Sequence, residues 1–291
     1  MKVLVTGANG QLGHDVVNEL NLRGHEAVTT DIAGDMDFLL DITKEEIINE
    51  VRDISPDAII HCAAWTAVDA AEDEENKEKV YAINVTGTRN LVEAARLLDC
   101  KFLYLSTDYV FDGQGERPWK PDDKSYAPLC YYGETKLRGE KAVAELYKYF
   151  IVRIAWVFGL HGKNFINTML KVAENHEQVR VVNDQIGTPT YTCDLARLLV
   201  DMIESEKYGY YHATNEGGYI SWYDYCVEIY RQAGKKTEVI PVSTLEYGLS
   251  KAKRPFNSRL DKAKLSDNGF ERLPDWRDAL SRYLKEINYG E

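Results

Sequence analysis

Apolar positions along the first 158 residues recur with two alternating periods. Short runs at Lys2–Thr6, Ala27–Thr30, Ala58–Cys62, Phe102–Ser106 and Ile151–Val157 are almost continuously apolar or β-branched. Such runs suit strands covered on both faces, as in a parallel sheet. Between them lie stretches with helical spacing. Gln11–Arg23 puts Leu12, Val16 and Leu20 on one face, and Val80–Leu98 and Tyr132–Tyr147 read as further helices. Thr43-Lys44-Glu45-Glu46 has the form of a capping box, opening a helix that carries Ile47, Ile48 and Val51. Strand alternating with helix predicts a doubly wound parallel α/β sheet.

After Gly159 the rhythm loosens. Helices are predicted at Phe165–Asn175, Asp194–Ser205, Trp222–Ala233 and Trp276–Ile287, with strands at Val179–Val182, Tyr210–Ala213 and Glu238–Pro241. Residues 1–158 therefore form the first domain and 159–291 mainly a smaller C-terminal α/β lobe, with the chain crossing back near 183–206.

Composition narrows the function classes. A chain of 291 residues with 44% hydrophobic content buries a substantial core. Its 35 basic against 47 acidic residues leave a net charge of −12, which argues against nucleic-acid and anionic-membrane partners. An anionic ligand must then be held by local donors rather than by the general field. The start MKVLVTGANG enters an apolar strand without a targeting leader. Five scattered cysteines (Cys62, Cys100, Cys130, Cys193 and Cys226) lack any C-x-x-C, which fits a reducing compartment and a cytoplasmic location.

Gly7-Ala8-Asn9-Gly10-Gln11-Leu12-Gly13 stands between the first strand and the first helix. Gly7 serves a tight turn, Gly10 a close backbone approach to a pyrophosphate, and Gly13 close packing of helix on strand. The helix start then offers free N–H groups and a positive dipole end. In that context the motif predicts a Rossmann-type dinucleotide site. Asp31 ends the second strand, where a carboxylate accepts from an adenosine ribose 2′-hydroxyl and repels a 2′-phosphate, so NADH is favoured over NADPH.

Tyr132 and Lys136 lie one helical turn apart in Tyr132-Gly133-Glu134-Thr135-Lys136. The ammonium is expected to lower the phenol's pKa, so that Tyr132 protonates a carbonyl oxygen as hydride reaches its carbon. Spacing alone is weak evidence, since Tyr247 and Lys251 make a second such pair in loop-like sequence. Ser106-Thr107-Asp108 ends the preceding strand, at the carboxyl edge where open α/β sheets bind ligands. Thr107 is thus placed to donate to the same carbonyl. Arg254 is a candidate for a substrate diphosphate. Asn164 either meets that diphosphate or caps the next helix. Trp222, Tyr223 and Tyr225 read as packing.

These blocks, read together, resemble the dTDP-4-dehydrorhamnose reductase family of extended short-chain dehydrogenase/reductases. The glycine and Tyr–Lys blocks belong to the whole superfamily. STDYVFDG at Ser106–Gly113, NDQIGTPT at Asn183–Thr190 and RPFNSRL at Arg254–Leu260 are more particular. The resemblance implies NAD(P)H-dependent reduction of the 4-keto group of a dTDP-4-dehydro-6-deoxysugar. It implies that Gly10, Gln11 and Leu12 lie on the pyrophosphate and that Asp41 and Ile42 lie near the adenine. Ala63, Ala64, Trp65 and Thr66 would follow the cofactor, Thr107, Tyr132 and Lys136 would be catalytic, and Asp108 and Trp156 would touch the sugar. Asn84 matches the helix asparagine of the superfamily. Members use NADH or NADPH, and some hold Mg²⁺ between subunits. Asp15 alone assembles no ligand set here, so no metal is expected, and a homodimer is left open. Where the family commonly has R-T-S-W, this chain has Arg153-Ile154-Ala155-Trp156 and loses two hydroxyls. The competing readings are a nucleotide-sugar epimerase or dehydratase, and a non-catalytic subunit resembling the accessory subunit of methionine adenosyltransferase.

Overall fold

A computed structural model describes residues 1–287. Six parallel strands of the first domain and one from the second make its central sheet. They are β1 (Lys2–Thr6), β2 (Glu26–Asp31), β3 (Phe38–Leu39), β4 (Ala58–His61), β5 (Lys101–Thr107) and β6 (Tyr149–Ile154). The order is β3-β2-β1-β4-β5-β6, extended beyond β6 by the strand Gly209–His212. The order reverses beside β1, between β2 and β4, so a crevice opens at the carboxyl ends of β1 and β4.

Helices α1 (Gln11–Leu22), α2 (Ile47–Ile54), α3 (Glu74–Tyr81), α4 (Thr88–Leu98) and α5 (Tyr131–Val143) follow in chain order through the first domain. On one face of the sheet, α1 buries Leu12, Val16 and Leu20 against Leu195, Leu199 and Met202 of the segment Thr192–Ile203. On the other, α2, α4 and α5 bury Ile47, Val51, Leu91, Ala95 and Val143. Each such side chain contributes roughly 1.5–3 kcal/mol by burial. The segment Thr192–Ile203 thus packs on α1, and Gly209–His212 follows as the sheet's edge strand.

The rest of the second lobe has its own core. Phe158, Ile166, Leu170, Tyr191, Tyr225, Ile229, Trp276, Leu280 and Tyr283 pack together. A two-stranded parallel sheet of Gln178–Val182 with Glu238–Val242 flanks it.

Two local expectations are corrected. Thr43 caps no helix, because its hydroxyl and amide both donate to the Asp41 carboxylate, at 2.7 and 3.0 Å. Glu46 precedes α2 instead and makes no side-chain cap. The single helix expected over Val80–Leu98 begins earlier and contains a π-helical turn at Ala82–Gly87, between α3 and α4. Such a turn commonly accompanies a functional site. Here it faces the carboxyl edge of the sheet through Asn84.

Candidate active site

Gly7 follows β1 with φ +66°, and any Cβ there would lie 2.7 Å from the amide nitrogen of Ala63. At Gly13 a Cβ would stand 2.1 Å from the Gly7 carbonyl oxygen, so the first turn of α1 seats directly on the loop. The result is a cradle of backbone with no side chain over it. Two cavities share its walls. One, of about 390 Å³, is lined by Gly7, Gly10, Asp31, Ile32, Asp41, Ile42, Ala63, Ala64 and Lys79. The other, of about 510 Å³, is lined by Gly7, Gly10, Gln11, Leu12, Gly13, Ala64, Thr66, Thr107, Asp108, Tyr132, Lys136, Trp156 and Lys163. Gly7, Gly10, Cys62 and Ala64 border both, so they form one groove across the switch point. Its glycine-lined middle suits a pyrophosphate, and its two ends suit an adenosine and a nicotinamide.

The sequence candidates converge with three exceptions. Trp65 is on neither cavity wall. Its amide donates to Asn84 Oδ1 at 2.8 Å, and its indole donates to the Ala67 carbonyl at 3.0 Å. Asn164 caps the helix Phe165–Asn175 by accepting from the Asn167 amide at 2.9 Å. It also donates to Gly159 O and to the Tyr283 hydroxyl, at 3.0 and 2.9 Å. Buried, with both side-chain donors engaged, Asn164 takes the capping role, and its side chain keeps no donor for a diphosphate. Arg254 lies beside the site but is committed to the Asp69 carboxylate at 2.5 Å and the Tyr109 hydroxyl at 3.0 Å.

At the reacting end, Tyr132 and Lys136 rise from the first turns of α5 toward the end of β5. Burial pushes the Tyr132 phenol above its ordinary value, and the neighbouring Asp108 adds to this, while a hydrogen-bonding contact with Thr107 pulls the other way. The expectation that Lys136 lowers the phenol is thus corrected. The Lys136 ammonium sits over the Tyr104 ring at 4.1 Å and is itself pushed down to about 7 by burial, with Glu140 and Cys62 pulling it back up. The phenol keeps its proton at neutral pH, as a donor must, while its burial makes it a weaker acid than a free tyrosine.

Asn84 apart, sequence reasoning missed the scaffold beneath these groups. Glu140, one turn beyond Lys136, is paired with Arg153 through two hydrogen bonds of 2.8 Å, with both side chains fully buried. Ser106 Oγ donates to the same carboxylate at 2.5 Å. Asn84, in the π turn, holds the Trp65 amide and donates to Thr135 Oγ1 at 3.1 Å; Thr135 in turn donates to the Tyr132 carbonyl at 2.8 Å. An acid and a base spaced thirteen residues apart carry no local signal in the chain. Trp156 adopts φ +51°, an uncommon conformation for a large side chain, and stacks on Trp222 at 3.8 Å. The aromatic cluster read as packing thus backs one wall of the site.

A glycine cradle at the switch point, with Thr107, Tyr132 and Lys136 on the same groove, defines a dinucleotide-dependent oxidoreductase of the short-chain dehydrogenase/reductase type. Over residues 1–289 the chain matches the family model described as the RmlD substrate binding domain, and it belongs to that family. It is 39% identical over 294 residues to a dTDP-4-dehydrorhamnose reductase of Aggregatibacter actinomycetemcomitans, covering 96% of this chain and 97% of that one. Among solved structures it is similar to a dTDP-4-dehydrorhamnose reductase from Clostridium acetobutylicum ATCC 824, at 40% identity and a TM-score of 0.92, covering 99% and 100% of the two chains. It is also similar to the enzyme of that name from Bacillus anthracis str. Ames in complex with NADP, at 41% identity and a TM-score of 0.91, covering 98% and 100%.

Proposed function

We propose that this chain reduces the 4-keto group of dTDP-4-dehydro-6-deoxy-L-mannose to give dTDP-L-rhamnose, with NADH or NADPH as the hydride source. One observation carries the reading: Thr107, Tyr132 and Lys136 border the cavity that continues into the Gly7–Gly13 cradle. When bound, the reduced dinucleotide supplies the hydride that reaches the sugar's C4. Tyr132 holds the proton that the C4 oxygen takes as it becomes a hydroxyl, and solvent returns a proton to the phenolate. Lys136, when charged, holds the nicotinamide ribose hydroxyls. Thr107, on the same cavity wall, contacts Tyr132 and orients its phenol. Trp156 and Asp108 form the sugar wall. Gly10, Gln11, Leu12, Ala63, Ala64 and Thr66 hold the cofactor backbone, and Asp41 and Ile42 flank the adenine.

Of the two dinucleotides the reading takes NADH. Asp31 borders the adenosine cavity, and Lys79 is the one cation among the described residues lining it.

Following NADH absorbance with a synthetic dTDP-4-keto-6-deoxysugar, and then identifying the product, tests the whole reading. Stoichiometric loss of NADH with formation of the rhamnose nucleotide supports it. No net change in NADH would point to an epimerase or dehydratase, and failure to turn over any keto-sugar to an accessory subunit. Tyr132→Phe is expected to bind NADH normally yet lose kcat by about 10²–10⁴. A variant within twofold of wild type removes Tyr132 from the chemistry.

A further inference from the structure

The carboxylate of Asp108 is almost fully enclosed, and two hydroxyls grip it, one from its chain neighbour and one from far along the sequence. Thr107 Oγ1 donates to Oδ1 at 3.0 Å, and Ser258 Oγ donates to Oδ2 at 2.5 Å. Ser258 belongs to the C-terminal stretch Arg254–Leu260, more than one hundred residues away in sequence, and is itself buried at 3% exposure. Its backbone is fixed. The Ser258 amide donates to Ile186 O at 2.8 Å, and the Asn257 amide to Gly113 O at 2.9 Å. Arg254, at the start of the stretch, is pinned to Asp69 and Tyr109. The serine therefore cannot swing away without moving both lobes.

This arrangement decides which way the Thr107 hydroxyl faces. With an ionised Asp108, Thr107 gives its hydrogen to the carboxylate, and its oxygen accepts from the Tyr109 amide at 3.3 Å while it contacts Tyr132. A neutral Asp108 becomes a donor itself and turns that hydroxyl round. We propose that Ser258 is a positioning residue of the active site, whose hydrogen bond keeps Asp108 as the acceptor that orients Thr107 toward Tyr132. The inference rests on the reading of Thr107 and Tyr132 given above.

The groups facing Asp108 give its ionisation a working range. Burial raises it to about 6, the hydrogen bonds from Ser258 and Thr107 lower it, and the Arg254 guanidinium also lowers it. Tyr132 of α5, Tyr109 of its own turn and Cys130 ahead of α5 are the other titratable neighbours. The ionised form is the one required, so activity is present above this value and lost as pH falls through it. Removing the Ser258 hydroxyl takes away a lowering contribution, and the loss must then begin at higher pH.

The test is the pH dependence of kcat/KM for the keto-sugar in wild type, Ser258→Ala, Tyr132→Phe and Asp108→Asn, with NADH dissociation constants measured alongside. Ser258→Ala is expected to move the acid limb upward by about one pH unit, to leave NADH binding within twofold, and to lower kcat/KM roughly fivefold at pH 6. In the Asp108→Asn background the same serine change should have no pH-dependent effect. A limb that stays in place, with or without a uniform loss at every pH, overturns the proposal. If Ser258→Ala does not fold, Ser258→Cys keeps the volume with a weaker donor and is read by the same displacement. Retained turnover in Tyr132→Phe would instead sink the reading of the reaction. An inactive Tyr132→Phe beside an unmoved Ser258→Ala limb would sink this inference alone.

Discussion

The two walls of the groove are made differently. On the cofactor side, the centre of the groove is a seven-residue stretch shaped by backbone geometry: a left-handed Gly7, a helix start, and glycines where any Cβ would strike the next turn. On the sugar side, side chains distant in sequence are brought together. Trp156 stacks on Trp222, and Ser258 reaches Asp108. Arg254 closes on Asp69. A backbone cradle serves any dinucleotide, whereas a wall of interlocked side chains is shaped for one ligand class. On the proposed reading, affinity for cofactor and choice of substrate lie in separable parts of the chain.

That contrast extends to the ion pairs behind each wall. Glu140 and Arg153 are wholly enclosed under the catalytic helix, whereas Asp69, about half exposed, meets Arg254 at the lobe boundary. Glu140→Gln leaves an uncompensated guanidinium in the interior and is expected to cost about 3–5 kcal/mol of stability. Asp69→Asn, with solvent at hand, is expected to cost under about 1 kcal/mol. Urea unfolding of both variants measures the difference. Equal losses would show that the enclosed pair matters no more than the boundary one.

The same division explains what could be read in the sequence. Apart from β3, the strands and helices through Ile154, the glycine cradle and the Tyr132–Lys136 pair are local patterns, whose signal lies within a few residues. The Glu140–Arg153 pair, the Asp108–Ser258 hydrogen bond and the place of the strand Gly209–His212 at the edge of the central sheet exist only once the chain has folded back. Periodicity does not encode them. Thr43 misled for a related reason: the capping pattern is present, but Asp41 two residues earlier is a closer acceptor for its hydroxyl and its amide. Lys136 misled through burial, because a desolvated ammonium over the Tyr104 ring no longer dominates the phenol's surroundings.

Asn164 gives a smaller and sharper comparison, because two roles were open to it and they differ in what its removal does. As a cap whose amide is spent on Asn167, Gly159 and Tyr283, its loss is felt by the fold. Asn164→Ala is expected to cost about 0.5–2 kcal/mol of stability while leaving KM for the keto-sugar within twofold. A normal unfolding midpoint with a KM raised tenfold or more would restore it to the diphosphate.

The finest test lies at the far end of the cofactor wall. Asp31 is held by two backbone amides, accepting from Ile32 at 2.7 Å and from Asn9 at 3.2 Å. Its carboxylate cannot readily turn away from a ligand entering the adenosine cavity. A ribose 2′-hydroxyl gives it a donor, while a 2′-phosphate brings a second anion to a site whose lining offers Lys79 as its cation. Wild type is therefore expected to favour NADH over NADPH in kcat/KM by about tenfold, the equivalent of about 1.4 kcal/mol, and Asp31→Ala should bring the ratio to within about threefold. The similarity to a Bacillus anthracis enzyme solved with NADP makes this a real exposure of the argument. If the wild-type ratio favours NADPH and Asp31→Ala leaves it unchanged, the carboxylate does not choose the cofactor, and its hold on Asn9 and Ile32 is its whole purpose.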